Sequence, residues 1–236
     1  MQQGGLVIVP SDTVYGVSVD ATNQEAVKKL INFKSRPPGK AISVFCGTIE
    51  RLKEYVEVSP AQEKLLHKLL PGPYTMVMHS KHKVNALIEA ENGTLGVRIP
   101  DADFANDLVN AYNAPITATS ANKAGQSPHY SVDALLNSLS DEKKQLIDLI
   151  VDAGKLPIRK PSTVIDMTKD EMKVLREGDF TSLLQLQGSR EELDSESEEE
   201  TKNIARALIE KNYMRAKHKP LVFIFSGTLG AGKTVL

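Results

Sequence analysis

At 236 residues and 41% apolar composition, the chain can bury one sizeable core and begin a second. Its one cysteine, Cys46, excludes an internal disulfide and points to a reducing compartment, and no apolar run approaches the ~18 residues that span a bilayer. The net charge of −1 is uneven: residues 1–182 carry 21 Lys and Arg against 22 Asp and Glu, residues 183–200 one against seven, and residues 201–236 seven against one. A uniformly basic RNA-binding surface is not indicated, Trp is absent as a stacking platform, and no basic segment precedes the first apolar run as a leader would require. The expectation is a soluble, cytoplasmic protein with no membrane partner.

The run Leu6-Val-Ile-Val-Pro10 is short, β-branched and stopped by proline, which predicts a buried strand. The polar turn Ser11-Asp-Thr13 then brings oxygens and backbone N–H groups to the strand's C-terminal end, where open α/β sheets hold ligands. Asn23 is the expected cap of a helix with an apolar stripe of Ala26, Val27, Leu30, Ile31 and Phe33, and that helix ends on Lys34 and Arg36. Two cations so close, followed by Pro37 and Pro38, make a candidate anion site. Ala41 to Cys46 predicts a second buried strand. Thr48 and Ser59-Pro60 each open a helix, the latter running to Leu70 and stopped by Pro71-Gly72 ahead of a strand from Tyr74 to Met78.

Gly93 to Pro100 predicts a strand carrying Arg98, and Asp101 is the expected cap of a helix reaching Tyr112. The next strand, Ala114 to Thr119, runs into Ser120-Ala-Asn122, whose small side chains permit close approach of a ligand and offer hydroxyl and amide groups. Lys123 to Tyr130 is a polar, Gly/Pro-bearing loop, read as a wall of the site. Ser131 caps a helix, a further helical run starts at Asp141, and Leu149 to Gly154, residues 161–166 and Lys173 to Gly178 predict the remaining strands, the last with Arg176. His67 and His79 fall in helical and strand-end patterns and are read as structural. The five histidines and one cysteine show no metal-ligand spacing and no nucleophilic pair, so no metal ligand is identified in the main domain.

The segments Pro10-Ser-Asp-Thr-Val-Tyr-Gly16, Lys34-Ser-Arg-Pro37 and Ser120-Ala-Asn122, at this spacing, resemble the signature of the YrdC/TsaC family. Matches at Pro71 to Thr75, residues 161–166 and Lys173 to Gly178 extend the resemblance over residues 4–180. It implies an α/β fold over residues 1–182, with an open twisted mixed sheet, flanking helices and a ligand cleft. The implied activity is L-threonylcarbamoyladenylate synthesis from L-threonine, bicarbonate and ATP with Mg²⁺, a step towards threonylcarbamoyladenosine in tRNA. By the same resemblance Thr13, Arg98, Ser120 and Ser162 hold L-threonine. Lys34, Arg36, Lys40, Thr94, Asn122, Tyr130 and Arg176 hold ATP, with Lys34 and Arg36 as the catalytic pair. Phe45 stands where many members carry histidine, and Met1 to Gly5 leaves no room for the helix that usually precedes the first strand. Implied partners are other enzymes of tRNA threonylcarbamoylation and a tRNA contact. The alternative reading is a nucleotide- or RNA-binding module regulating an attached ATPase.

Residues 183–200 are the expected acidic linker, followed by a helix from Thr201 to Tyr213. Leu221 to Phe225 then enters a full Gly-x-x-x-x-Gly-Lys-Thr phosphate loop at Gly227, Gly232, Lys233 and Thr234. The loop's backbone cradles phosphates, Lys233 reaches the β/γ oxygens and Thr234 ligates Mg²⁺. This piece resembles the start of TsaE, the ATPase of the same pathway. Residues 201–236 are therefore read as the stump of a second, P-loop domain that does not hydrolyse ATP by itself.

Overall fold

Short β-branched runs become strands and capped amphipathic runs become helices in the computed structural model, which describes residues 1–36, 40–122, 127–169, 172–178 and 197–206. The expectations for Pro37 and Pro38, for residues 123–126, for most of the acidic linker and for the phosphate loop at Gly227, Gly232, Lys233 and Thr234 lie outside these. The chain divides into two compact units, Met1–Gln185 and Leu186–Leu236.

In the first unit the strands are β1 (Val7–Val9), β2 (Gly16–Ser18), β3 (Ser43–Phe45), β4 (Tyr74–His79), β5 (Thr94–Arg98), β6 (Ile116–Ser120), β7 (Leu149–Ile150), β8 (Thr163–Asp166) and β9 (Lys173–Arg176). Among the described residues they form one nine-stranded mixed sheet in the order β7-β1-β2-β6-β3-β5-β4-β8-β9. The helices are α1 (Gln24–Lys34), α2 (Ile49–Tyr55), α3 (Pro60–Leu69), α4 (Asp103–Tyr112), α5 (Val132–Ser138) and the single turn α6 (Asp141–Lys144). Asn23, Thr48, Ser59 and Ser131 cap α1, α2, α3 and α5 through their side chains, each satisfying a backbone N–H that the helix cannot.

Side chains alternate across each strand, so each contributes to two surfaces. Ile8, Val17, Val44, Met76, Met78, Leu95 and Val97 join Val27, Leu30 and Phe33 of α1, Leu52 of α2 and Leu66 of α3 in one core. Each such side chain gives about 1.5–3 kcal/mol on leaving water. On the other surface a smaller cluster of Phe45, Ile116, Ala118 and Val109 seats α4. The same surface also carries Ser43, Thr75 and Gly96, which line a cavity.

Three local expectations change. Ala102, not Asp101, is the N-cap residue of α4, with no side-chain cap bond. Asp101 is turned elsewhere, its N–H donating to Asp12 Oδ2 at 3.3 Å. The strand expected over Leu149 to Gly154 shrinks to two residues, because Asp152, Ala153 and Gly154 bond to Tyr15 Oη instead of a neighbouring strand. In the second unit residues 198–206 are helical, starting ahead of Thr201 because Ser197 Oγ accepts the N–H of Glu200 and Glu198 to Glu200 suit the positive end of the helix.

Candidate active site

Helix α1 delivers the first cation. Lys34 is its last residue, and Ser35, in the left-handed region at φ 48°, closes the helix and turns the chain away. Lys34 is 2% exposed, and its Nζ donates to the backbone oxygen of Ser120 and, at 3.0 Å, to that of Asn122. An ammonium has three hydrogens, so one remains for a ligand while two hold the exit of β6 in place. Burial, and next the neighbouring Arg36 charge, push the Lys34 pKa down to about 7. Arg36 donates Nε to the backbone oxygen of Lys40 at 3.1 Å and Nη2 to that of Ala41, and burial lowers its pKa too.

The other two cations come from strand ends. Arg98, last in β5, is 7% exposed. Its Nη2 donates to Asp12 Oδ1 at 2.7 Å, its guanidinium lies 5.2 Å from the centre of the Phe45 ring, and its Nε has no partner among the described residues. The Asp12 carboxylate thus fixes the guanidinium while a buried N–H is left to donate. Arg176, last in β9, donates Nε and Nη2 to the backbone oxygen of Ser162 at 3.1 and 2.8 Å, and Nη2 to Ser162 Oγ at 3.1 Å. Burial lowers its pKa, with a further push from the charge of Arg98.

These side chains surround one cavity of about 450 Å³, within the range of small-molecule sites. Of the residues expected from the sequence, Thr13, Lys34, Arg36, Thr94, Arg98, Ser120, Asn122, Ser162 and Arg176 line it. Lys40 and Tyr130 do not. Lys40 lines an adjoining hollow that shares Arg36, and the Tyr130 hydroxyl donates to the backbone oxygen of Arg159 at 2.6 Å. The floor, missed in the sequence, is Ser43, Thr75, Gly96, Ala118 and Val164. Its signal was the run of small or polar residues at alternate positions of successive strands. At Gly96 a Cβ would meet Ser43 Cβ at 3.0 Å and Thr75 Cγ2 at 3.2 Å, so glycine keeps the floor flat. No carboxylate is among the described lining residues, and no group of three or more His, Cys, Asp or Glu suited to a metal occurs among the described residues. The described lining, cationic and polar without a carboxylate, suits anions. Cys46, buried, has its thiol pushed up to about 12 by burial and is no nucleophile.

The family described as telomere recombination, Sua5/YciO/YrdC, matches residues 1–178. Proteins of Vibrio campbellii and Vibrio parahaemolyticus, both named threonylcarbamoyl-AMP synthase, are 32% and 30% identical over 182 residues, in each case 75% of this chain and 95% of the relative. The structure of P. abyssi Sua5 complexed with L-threonine superposes with a TM-score of 0.72 at 29% identity, over 79% of this chain and 55% of that one. The chain therefore spans little more than half the length of that Sua5. E. coli YciO superposes with a TM-score of 0.68 at 27% identity, over 75% of this chain and 85% of YciO. With the cation-lined cavity and a match over residues 1–178, the chain belongs to the Sua5/YciO/YrdC family.

Proposed function

We propose that the chain is an L-threonylcarbamoyladenylate synthase, forming threonylcarbamoyl-AMP and pyrophosphate from L-threonine, bicarbonate and ATP. The observation that carries this reading is the convergence of Lys34, Arg36, Arg98 and Arg176 on one cavity with a flat floor and no lining carboxylate among the described residues. The threonine amine attacks the bicarbonate carbon: an N–C bond forms, a C–O bond breaks, and that oxygen leaves as water with a proton from the amine, giving the carbamate. A carbamate oxygen then attacks the α-phosphorus of ATP, a new P–O bond forms, and the α–β bridge breaks to release pyrophosphate. Two anions must be held in contact while charge shifts onto the leaving phosphates, which is work for fixed cations in a water-poor site.

In this reading Arg98 takes the threonine carboxylate, with Thr13, Ser120 and Ser162 around the rest of the amino acid. Lys34, Arg36, Thr94, Asn122 and Arg176 hold the nucleotide, joined by Lys40 and Tyr130 at its margin. Mg²⁺ enters with ATP as part of the substrate. The product passes to the enzymes that threonylcarbamoylate tRNA in the cytoplasm, with tRNA itself as a contact. The complete phosphate loop at Gly227 to Thr234 supports reading the C-terminal segment as TsaE-like. ATP binding that survives loss of Lys34 and Arg36 and disappears in Lys233→Ala is the expected sign of that second site.

The test of the synthase is pyrophosphate release by the full chain supplied with MgATP, bicarbonate and single amino acids. Release is expected with L-threonine. Release indifferent to L-threonine contradicts the proposal.

A further inference from the structure

Thr75 stands on the cavity side of β4, and no role above uses it. It is 5% exposed and lies beside Ser162, which is 4% exposed. The two hydroxyl oxygens are 2.8 Å apart. Ser162 Oγ also receives an N–H from Arg176 Nη2 at 3.1 Å, and a guanidinium can only donate, so this oxygen spends a lone pair on Arg176. Two hydroxyls carry two hydrogens, and one of these lies between the oxygens. The other is left over whichever oxygen holds it, on a pair that opens into the cavity.

The orientation of Thr75 is imposed from its other side. Its methyl group faces Gly96, where an added Cβ would come within 3.2 Å of Thr75 Cγ2. A β-branched side chain has few χ1 wells, so seating the methyl over Gly96 leaves the hydroxyl directed at Ser162. Gly96, Thr75, Ser162 and Arg176 thus form a chain of contacts from the floor of the cavity to its rim.

We propose that Thr75 is a positioning residue for the amino-acid substrate. Its hydroxyl, held against Ser162 Oγ, fixes the direction of the one hydrogen the pair has to spare, so that this hydrogen meets an oxygen on the substrate side chain and the site prefers L-threonine to its methyl isostere L-valine. This rests on the synthase reading. A site built to donate to a substrate hydroxyl rejects the analogue lacking it, because the buried O–H is then left without a partner.

The test measures pyrophosphate release by the full chain with MgATP, bicarbonate and either L-threonine or L-valine. In Thr75→Val, which keeps the shape and removes the hydroxyl, KM for L-threonine is expected to rise about tenfold with kcat within about twofold. The preference for L-threonine over L-valine in kcat/KM narrows about tenfold, and Thr75→Ser recovers most of it. On a Ser162→Ala background Thr75→Val adds less than about twofold, because its action runs through Ser162. Thr75→Ala serves the same comparison if the valine variant does not fold. An unchanged threonine/valine preference in the substituted protein, or multiplying effects of the two substitutions, overturns the proposal while the synthase reading stands. Absence of threonine-dependent release in the unsubstituted protein overturns the synthase reading and this proposal with it.

Discussion

The two surfaces of β4 and β5 share a backbone and a register but differ in every other respect. Tyr74, Met76 and Met78 of β4 and Leu95 and Val97 of β5 enter the hydrophobic core. Between them Thr75, Val77, Thr94, Gly96 and Arg98 line the cavity. Packing selects residues at one parity for volume, and the other parity is released to carry hydroxyls, a charge and a glycine. The consequence is a separation of labour along single strands: one set of positions holds the sheet together, the other is available for substrates.

Arg98 is where this separation should break most visibly. Its ion pair with Asp12 is buried at both ends, with side-chain exposures of 8% and 2%. Arg98→Ala leaves a carboxylate buried without a counter-charge and is expected to cost about 3–5 kcal/mol of stability as well as turnover with L-threonine. Urea unfolding measures the first, and an unchanged midpoint would mean that the pair contributes nothing. Met76→Ala, at the core parity of β4, is expected to cost about 2–5 kcal/mol while the folded fraction keeps KM for L-threonine within about twofold.

Arg36→Ala should do the reverse. We expect a loss of about 2–4 kcal/mol of transition-state stabilisation, read as a fall in kcat of about 30- to 900-fold, with a smaller change in the thermal midpoint than Met76→Ala gives. Gly96→Val puts a side chain against Ser43 and Thr75 and should cost about 1–3 kcal/mol, mostly as weakened binding of both substrates. Calorimetric titration with each substrate separates that outcome from simple overpacking.

The smallest effect is a pH dependence. With its pKa near 7, Lys34 loses its proton as pH rises from 7 to 9, so MgATP binding weakens over that interval, and Lys34→Met should flatten the profile. Stability moves in the opposite sense. The unfolded lysine stays charged to about pH 10.4, so above pH 7 the unfolded chain binds more protons than the folded one. The ligand-free protein therefore gains stability across this window, and a thermal midpoint that falls between pH 7 and 9 more steeply than that of Lys34→Met would contradict the assignment.

Much of the scaffold was legible because its causes are local. The helix starts at Asn23, Thr48, Ser59 and Ser131 follow from a polar side chain meeting orphan N–H groups, and the β-branched runs before Pro10 and Ser120 become β1 and β6. What the sequence did not disclose depends on residues far apart in the chain. Asp12 was expected to offer oxygens to a ligand and instead fixes Arg98, while its second oxygen takes the N–H of Asp101. Thr75 and Ser162 meet only because β4 and β8 are parallel neighbours in the sheet. Lys40 and Tyr130 lie off the cavity lining, the first beside a local contact and the second through a distant one. Arg36 holds the backbone at Lys40, and Arg159 receives the Tyr130 hydroxyl.

A structure of the full chain with both ATP and L-threonine bound would test the central claim, that one cation-lined cavity holds both reactants. The account predicts the amino-acid carboxylate on Arg98 and the triphosphate on Lys34, Arg36 and Arg176, over the floor at Gly96. A cavity that holds L-threonine but no nucleotide, or L-threonine bound without Arg98, would contradict it.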